Sequence, residues 1–168
     1  MAASSLFDRQ MAMYASYHRD ARNRATHFIG IPAIVFALLV PLALVRFTVA
    51  GTDISMALVV AAAVLGLWLT LDVVIGAAMA VVLFALWLAA EWVAGFGATT
   101  AWIVFAVFFV GGWAFQLLGH VFEGKRPALL DNLFQALIGP MFLMAELFGW
   151  LGLPHGHHSG GQRHHHTG

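Results

Sequence analysis

The sequence predicts an all-α fold, a polytopic membrane helix bundle of four spans plus a fifth apolar helix or re-entrant segment, preceded by an N-terminal interfacial helix. Three observations carry this. Hydrophobic residues make up 61% of the 168 and charged residues only 10%, against ~45–50% apolar content in soluble domains. The mean hydropathy is +0.86. The apolar residues also gather into long runs, several near the ~20 residues that cross a ~30 Å hydrocarbon core.

The elements follow in order. Residues 4–19, SSLFDRQMAMYASYHR, place Leu6, Phe7, Met11, Met13, Tyr14 and Tyr17 between polar residues. This is a loose helical pattern with Ser4 or Ser5 as N-cap, as expected of an interfacial helix. The first apolar run extends from Phe28 to Phe47 and contains Pro32 and Pro41, whose kinks neighbouring helices absorb. Gly51, Thr52 and Asp53 predict a turn, and Ile54 to Leu71 a second, rather short span. Asp72 separates it from a third, Val73 to Ala94, which ends in Trp87, Glu91 and Trp92 at an expected membrane interface.

Gly95 to Thr99 predict the next turn, and Thr100 to Phe122 the fourth span. The last apolar segment, Leu133 to Leu153, contains Gly139, Pro140 and Glu146 and fits a fifth span, a re-entrant hairpin or an interfacial helix. Residues 1–153 are expected to form a single membrane-embedded domain. Residues 154–168, PHGHHSGGQRHHHTG, are expected to be a disordered Gly/His-rich tail. The first 27 residues lack the apolar core and cleavage site of a signal peptide, so they are expected to remain.

Composition excludes some functions. Eight basic and eight acidic residues give a formal charge of zero, and no basic block is long enough to follow a phosphate backbone, so nucleic acid is not an expected partner. There is no cysteine, hence no disulfide, thiolate metal site or cysteine nucleophile. Any metal must be held by His, Asp, Glu or water.

The basic residues set the topology. Arg9, Arg19, Arg22 and Arg24 precede the first span and Lys125 with Arg126 follow the fourth, while the turns between hold only Arg46. Both clusters therefore fall on the cytoplasmic side, with an even number of spans between them. His18 and His27 then lie at the same membrane face as His120.

The chain's chemistry concentrates there. After the apolar run TAWIVFAVFFV, polar groups appear at Gln116, His120 and Glu123, offsets of four and three that share one helix face. Ionisable groups at the end of a membrane helix are costly unless they face protein or a wet cavity. Outside the tail, His18, His27 and His120 are the only histidines. Three imidazoles and a carboxylate at one rim suit an open-coordinated iron or zinc. On one straight helix His18 and His27, nine apart, would point ~180° from each other at ~100° per residue. A bend between them is required, and Asp20 to Asn23 is expected to supply it, with Asn23 as N-cap of the first span. Tyr14, one turn before His18, is placed to hydrogen-bond a ligand or substrate or to anchor the helix.

These residues carry a resemblance. Tyr14, His18, Asn23, His27, Gly30 and Pro32 (YASYHRDARNRATHFIGIP), followed by Gln116, Gly119, His120, Glu123, Pro127 and Ala128 (QLLGHVFEGKRPA), resemble the membrane family of 2-hydroxy fatty acid dioxygenases. The likeness covers the first 32 residues and roughly 113–145; the second and third spans match in hydropathy alone. Members often carry a proline shortly after the first histidine, where this chain has Asp20 and Ala21.

The resemblance implies a non-haem Fe(II) enzyme of fatty-acid α-oxidation. It would convert a long-chain 2-hydroxy fatty acid and O2 to the acid one carbon shorter and CO2. The equation R-CHOH-COOH + O2 → R-COOH + CO2 + H2O balances without a further reductant, and the chain has no Gly-rich dinucleotide fingerprint. His18, His27 and His120 would hold the iron. Glu123 would be a further ligand or the acceptor that orients an imidazole, with Asn23 and Gln116 as supporting donors. Expected partners are the hydroxy acid, O2 and membrane lipid, in a bacterial inner membrane or the endoplasmic reticulum, and a homo-oligomer is compatible with the chain. The alternative reading is a non-catalytic membrane metal carrier or scaffold whose histidine-rich tail collects cations; histidine-box di-iron enzymes need many more histidines, in clustered boxes, than the three this chain has outside its tail.

Other residues have plainer expected roles. The six tryptophans, 68, 87, 92, 102, 113 and 150, are expected as interface anchors and packing. Gly111, Gly112 and Gly119 are expected to permit close helix approach, and Asp53 and Asp72 to be turn residues in water. Asp131 and Gln135 lie one turn apart, a spacing that can bring both to face the site, and neither is assigned to it.

Overall fold

The computed structural model describes residues 6–124 and 134–153. Among them the order is α1 (Leu6–Ser16), α2 (Ala21–Leu44), β1 (Arg46–Val49), β2 (Thr52–Ser55), α3 (Met56–Leu71), α4 (Val73–Ala94), α5 (Ala98–Glu123) and α6 (Phe134–Leu151). The expected helix bundle forms. Four helices, α2, α4, α5 and α6, are long and apolar enough to cross a membrane, and α3 is a shorter apolar helix of 16 residues. Many large side chains on these helices face outward, Val81, Val107, Val110 and Val121 among them. Such a continuous apolar surface calls for lipid or protein against it.

Two boundaries differ from the sequence reading. Phe47 and Ile54, expected in the first and second spans, pair instead in an antiparallel hairpin that runs from Arg46↔Ser55 to Val49↔Thr52. Its two-residue turn, Ala50 and Gly51, has positive φ at both positions, the geometry whose twist suits a tight hairpin. Strands this short leave no periodic signal inside an apolar run. The second difference is the cap of α2. Asp20, rather than Asn23, is the N-cap, its carboxylate accepting the Arg22 N–H at 2.8 Å. Asn23 lies one turn inside α2 and is completely buried.

Pro32 and Pro41 both lie within a continuous α2, and Pro140 lies within a continuous α6. The last apolar segment is thus one helix rather than a hairpin. Asp72 ends α3 and caps α4, accepting the Ile75 N–H at 2.8 Å.

The crossing of α2 and α5 positions the site. A methyl group on Gly30 would meet the Gly112 carbonyl, and one on Gly112 would meet Ile34 and the Gly30 carbonyl. A methyl on Gly119 would collide with Thr26 and Asn23, whereas Gly111 faces open space. Two of the three glycines therefore serve close approach. A core of Leu39, Val40, Ala43, Ala57, Trp68, Ile75, Met79 and Leu83 fills the bundle. A smaller cluster of Tyr14, Ile138, Phe142 and Leu143 ties α1 to α6.

Candidate metal centre

Three separated stretches deliver the histidines. His18 follows the last turn of α1, held by backbone bonds from Tyr17 and His18 N–H groups to the Tyr14 and Ala15 carbonyls. His27 sits in the second turn of α2, and His120 in the last turn of α5. All three are buried, and each offers one ligand atom such that these atoms lie within 4.8 Å of one another.

Local hydrogen bonds decide which nitrogens face inward. His18 Nδ1 lies 2.7 Å from the Tyr14 carbonyl and His27 Nδ1 lies 2.9 Å from the Asn23 carbonyl. A carbonyl oxygen only accepts, so in each neutral ring Nδ1 carries the proton and Nε2 a lone pair. The two Nε2 atoms face each other at 3.1 Å. Neither ring then has a proton for that contact, and two lone pairs so close repel unless a cation or a further proton lies near both. His120 completes the group, with ring centroids 5.3 Å from His18 and 5.1 Å from His27. Its Nδ1 is buried and has no hydrogen-bond partner among the described residues.

Electrostatics favour unprotonated ligands. The His18 pKa is pushed down to about 4, first by burial, with the bond to the Tyr14 carbonyl opposing and the nearby His120 adding to the shift. Its ring is neutral at ordinary pH and available to a cation. The Tyr14 ring stacks on His18 at 4.0 Å. Burial raises the Tyr14 phenol above its usual range, so it remains a neutral donor.

Glu123 and Asn23 stand behind the histidines. Glu123 Oε1 accepts the Arg19 N–H at 3.0 Å, while Oε2 accepts the Asp20 N–H at 2.8 Å and the Asn23 amide at 3.1 Å. The carboxylate thus pins the loop that carries His18 to the end of α5 that carries His120. The Asn23 amide also reaches the Tyr17 carbonyl at 3.3 Å. Of the residues singled out in the sequence, Tyr14, His18, His27, Gln116 and His120 line one cavity, and Asn23 and Glu123 support its rim. Lys125, Arg126, Pro127, Ala128 and Asp131, and the tail from 154, lie outside the described residues.

The cavity, about 330 Å³, runs from the histidines into the apolar interior between α2, α3, α5 and α6. Two of its wall residues were not assigned to the site from the sequence. Trp68, expected to anchor or pack, packs in the core as part of the wall and donates its indole N–H to the Leu137 carbonyl at 2.9 Å. Gln135 is buried there too, its amide donating to Gln10 and reaching Met13 Sδ at 3.5 Å. The one-turn spacing of Asp131 and Gln135 left this placement open, and the packing of α6 against α1 decides it.

The donor set fits a metal. At ~2.1 Å per metal–nitrogen bond, neighbouring ligands stand ~3.0–3.4 Å apart for 90° to tetrahedral angles, and the His18–His27 separation of 3.1 Å falls inside that range. Three neutral nitrogens on one side of a cavity suit iron or zinc with positions left for other ligands.

Comparisons with known proteins identify the family. Over 46 residues the chain is 54% identical to "2-hydroxy-palmitic acid dioxygenase MPO1" of Saccharomyces cerevisiae, a stretch covering 26% of this chain and 26% of that protein. No solved structure matches it. The family model described as 2-hydroxy-palmitic acid dioxygenase Mpo1-like matches residues 4–151, which takes in α1 to α6 and all three histidines, and the chain belongs to that family.

Proposed function

We propose that the protein is an Fe(II)-dependent dioxygenase that shortens long-chain 2-hydroxy fatty acids by one carbon, releasing CO2. The observation that carries this reading is the pair of lone-pair-bearing Nε2 atoms 3.1 Å apart at the head of a long apolar cavity. A cation relieves the first feature and an acyl chain fills the second. Family membership supplies the substrate class.

His18, His27 and His120 would hold the ion. Bound iron would supply open coordination positions for substrate and O2, with the redox chemistry that lets O2 react. The chain's own residues do the rest. The Nδ1–H bonds to the Tyr14 and Asn23 carbonyls keep two imidazoles in the ligating tautomer. Glu123 holds the His18 loop against α5 through three N–H groups. With its oxygens so engaged, its role is positioning.

Tyr14 and Gln116, on the cavity wall beside the histidines, are placed to hydrogen-bond the carboxylate and 2-hydroxyl of the substrate. The acyl chain lies among α2, α3 and α5 and arrives laterally from lipid past Leu38, which lines the cavity and is exposed on its outer side. The site faces the cytoplasm, the side on which the arginines before α2 stand.

The test is anaerobic loading with Fe(II), then addition of O2 and 2-hydroxypalmitic acid, following the shortened acid. Wild-type protein is expected to turn over and His120→Ala to lose the product. Absence of product from iron-loaded wild type across several chain lengths, or undiminished product from the variant, overturns the reading.

A further inference from the structure

The cavity beneath the histidines has two unlike ends. Tyr14, His18, His27, Gln116, His120 and Gln135 cluster at one. Beyond Trp113 the lining is entirely aliphatic, and it ends at Leu42 of α2 with Val60 and Ala61 of α3. His27 and Leu42 are about four helical turns apart, roughly 22 Å at ~1.5 Å per residue. An extended acyl chain rises ~1.27 Å per carbon–carbon bond of ~1.5 Å, so palmitic acid is about 19 Å long. With its carboxyl group held at the histidines, its methyl end comes within about 3 Å of the far end.

That end is closed. Ala43 and Ala57, next in the two helices, are completely buried. Below them Ser55 and Arg46 are bonded to Glu91, which joins α4 to the hairpin. The floor is thus backed by packed side chains and a polar clasp.

We propose that Leu42, Val60 and Ala61 form the stop against which the methyl end of the acyl chain is measured, so that substrates are selected by length far from the reacting carbons. The inference rests on the acyl-chain reading of the cavity given above. Lipid tails are as apolar as leucine, so moving a methylene from bilayer to cavity gains little. Selection must come from fit: an overlong chain overpacks the floor and a short one leaves a void. Ala61 has the smallest side chain of the three and therefore sets the depth.

The experiment measures binding on iron-loaded protein under argon, in vesicles, by displacement of a fluorescent fatty acid. The competitors are decanoic, palmitic and stearic acids, none of which carries the 2-hydroxyl. Ala61→Phe is expected to weaken palmitic and stearic acids about tenfold and to leave decanoic acid unchanged. Val60→Phe, at a half-buried position, should shift the series in the same sense with less risk to folding, and Leu42→Ala should favour stearic acid. An equal change at every length in both phenylalanine variants, or none, overturns the proposal.

Turnover of the matching 2-hydroxy acids is read in parallel. A length-dependent shift in binding with no turnover of any 2-hydroxy acid leaves the stop in place and refutes the reaction. Turnover whose length preference is unmoved by both phenylalanine variants refutes the stop and leaves the reaction.

Discussion

Two polar clusters stand at opposite ends of α2, roughly 36 Å apart over its 24 residues, and they are built on opposite principles. At the hairpin end, Arg46 bonds Asp53 at 2.6 Å and Glu91 at 2.7 Å. Glu91 also accepts from Ser55 and, at 3.0 Å, from the Trp87 indole. Opposite charges meet there, and donors meet acceptors. At the histidine end, two lone pairs face each other, His120 Nδ1 and Asn23 Oδ1 are buried without partners among the described residues, and the nearest carboxylate is turned toward the backbone. The first cluster is complete in itself and fastens three elements. The second leaves buried polar atoms unmatched, an expense usually borne for function.

The comparison can be broken by mutation. The largest effect is expected from His120→Ala. Iron binding should fall more than about a hundredfold, since even groups that only support ligands are worth ~10–100-fold. The thermal midpoint of the metal-free protein should hold or rise, because a buried unpartnered group is removed. Iron titration and thermal unfolding of the same preparation check both. A large loss of metal-free stability would make this histidine a structural residue like those of the hairpin clasp.

Glu123→Ala comes next. Freed from its three N–H bonds, the His18 loop should drift, and iron affinity should fall ~10–100-fold with partial rescue in Glu123→Gln. If Gln retains none of the function, the charge itself is required and the positioning role is wrong. Glu91→Ala should do the reverse: iron affinity unchanged, stability lower by about 1–3 kcal/mol as Arg46, Ser55 and Trp87 lose their acceptor. A change in iron affinity would mean that the two ends are coupled.

The smallest effect concerns pH. The His18 pKa is lowered from 6.5 to about 4 in the folded protein, so the unfolded chain takes up its proton first. Stability that is full above about 6.5 should therefore be lost as pH falls through that value toward about 4. Thermal unfolding of the metal-free protein across this window measures it, and His18→Gln should flatten the slope. An unchanged slope would assign the acid sensitivity to other groups.

Much of the site was legible before the fold. Gln116, His120 and Glu123 announced a shared face by offsets of four and three, and the arginine distribution put His18 and His27 at the same membrane side. The bend between those two histidines was required by their spacing, but its cap was misassigned. Both Asp20 and Asn23 can cap a helix, and only the bonds to Arg22 and Glu123 distinguish them. The hairpin was hidden because its strands are short and extend neighbouring apolar runs. Gln135 was noticed but not assigned to the site, and Trp68 was expected only to anchor or pack, because their neighbours, Gln10 and Leu137, are distant in sequence.

The sequence by itself determined the apolar surroundings, the helices and the inventory of histidines and carboxylates, because hydropathy, helical period and residue chemistry are local properties of a chain. Only the tertiary structure decided which nitrogens face one another, that Glu123 grips the His18 loop, and where the cavity stops. Those depend on the close α2–α5 crossing at Gly30, Gly112 and Gly119 and on α6 packing over α1. Such contacts bring together residues about a hundred positions apart, and no local pattern encodes their distance.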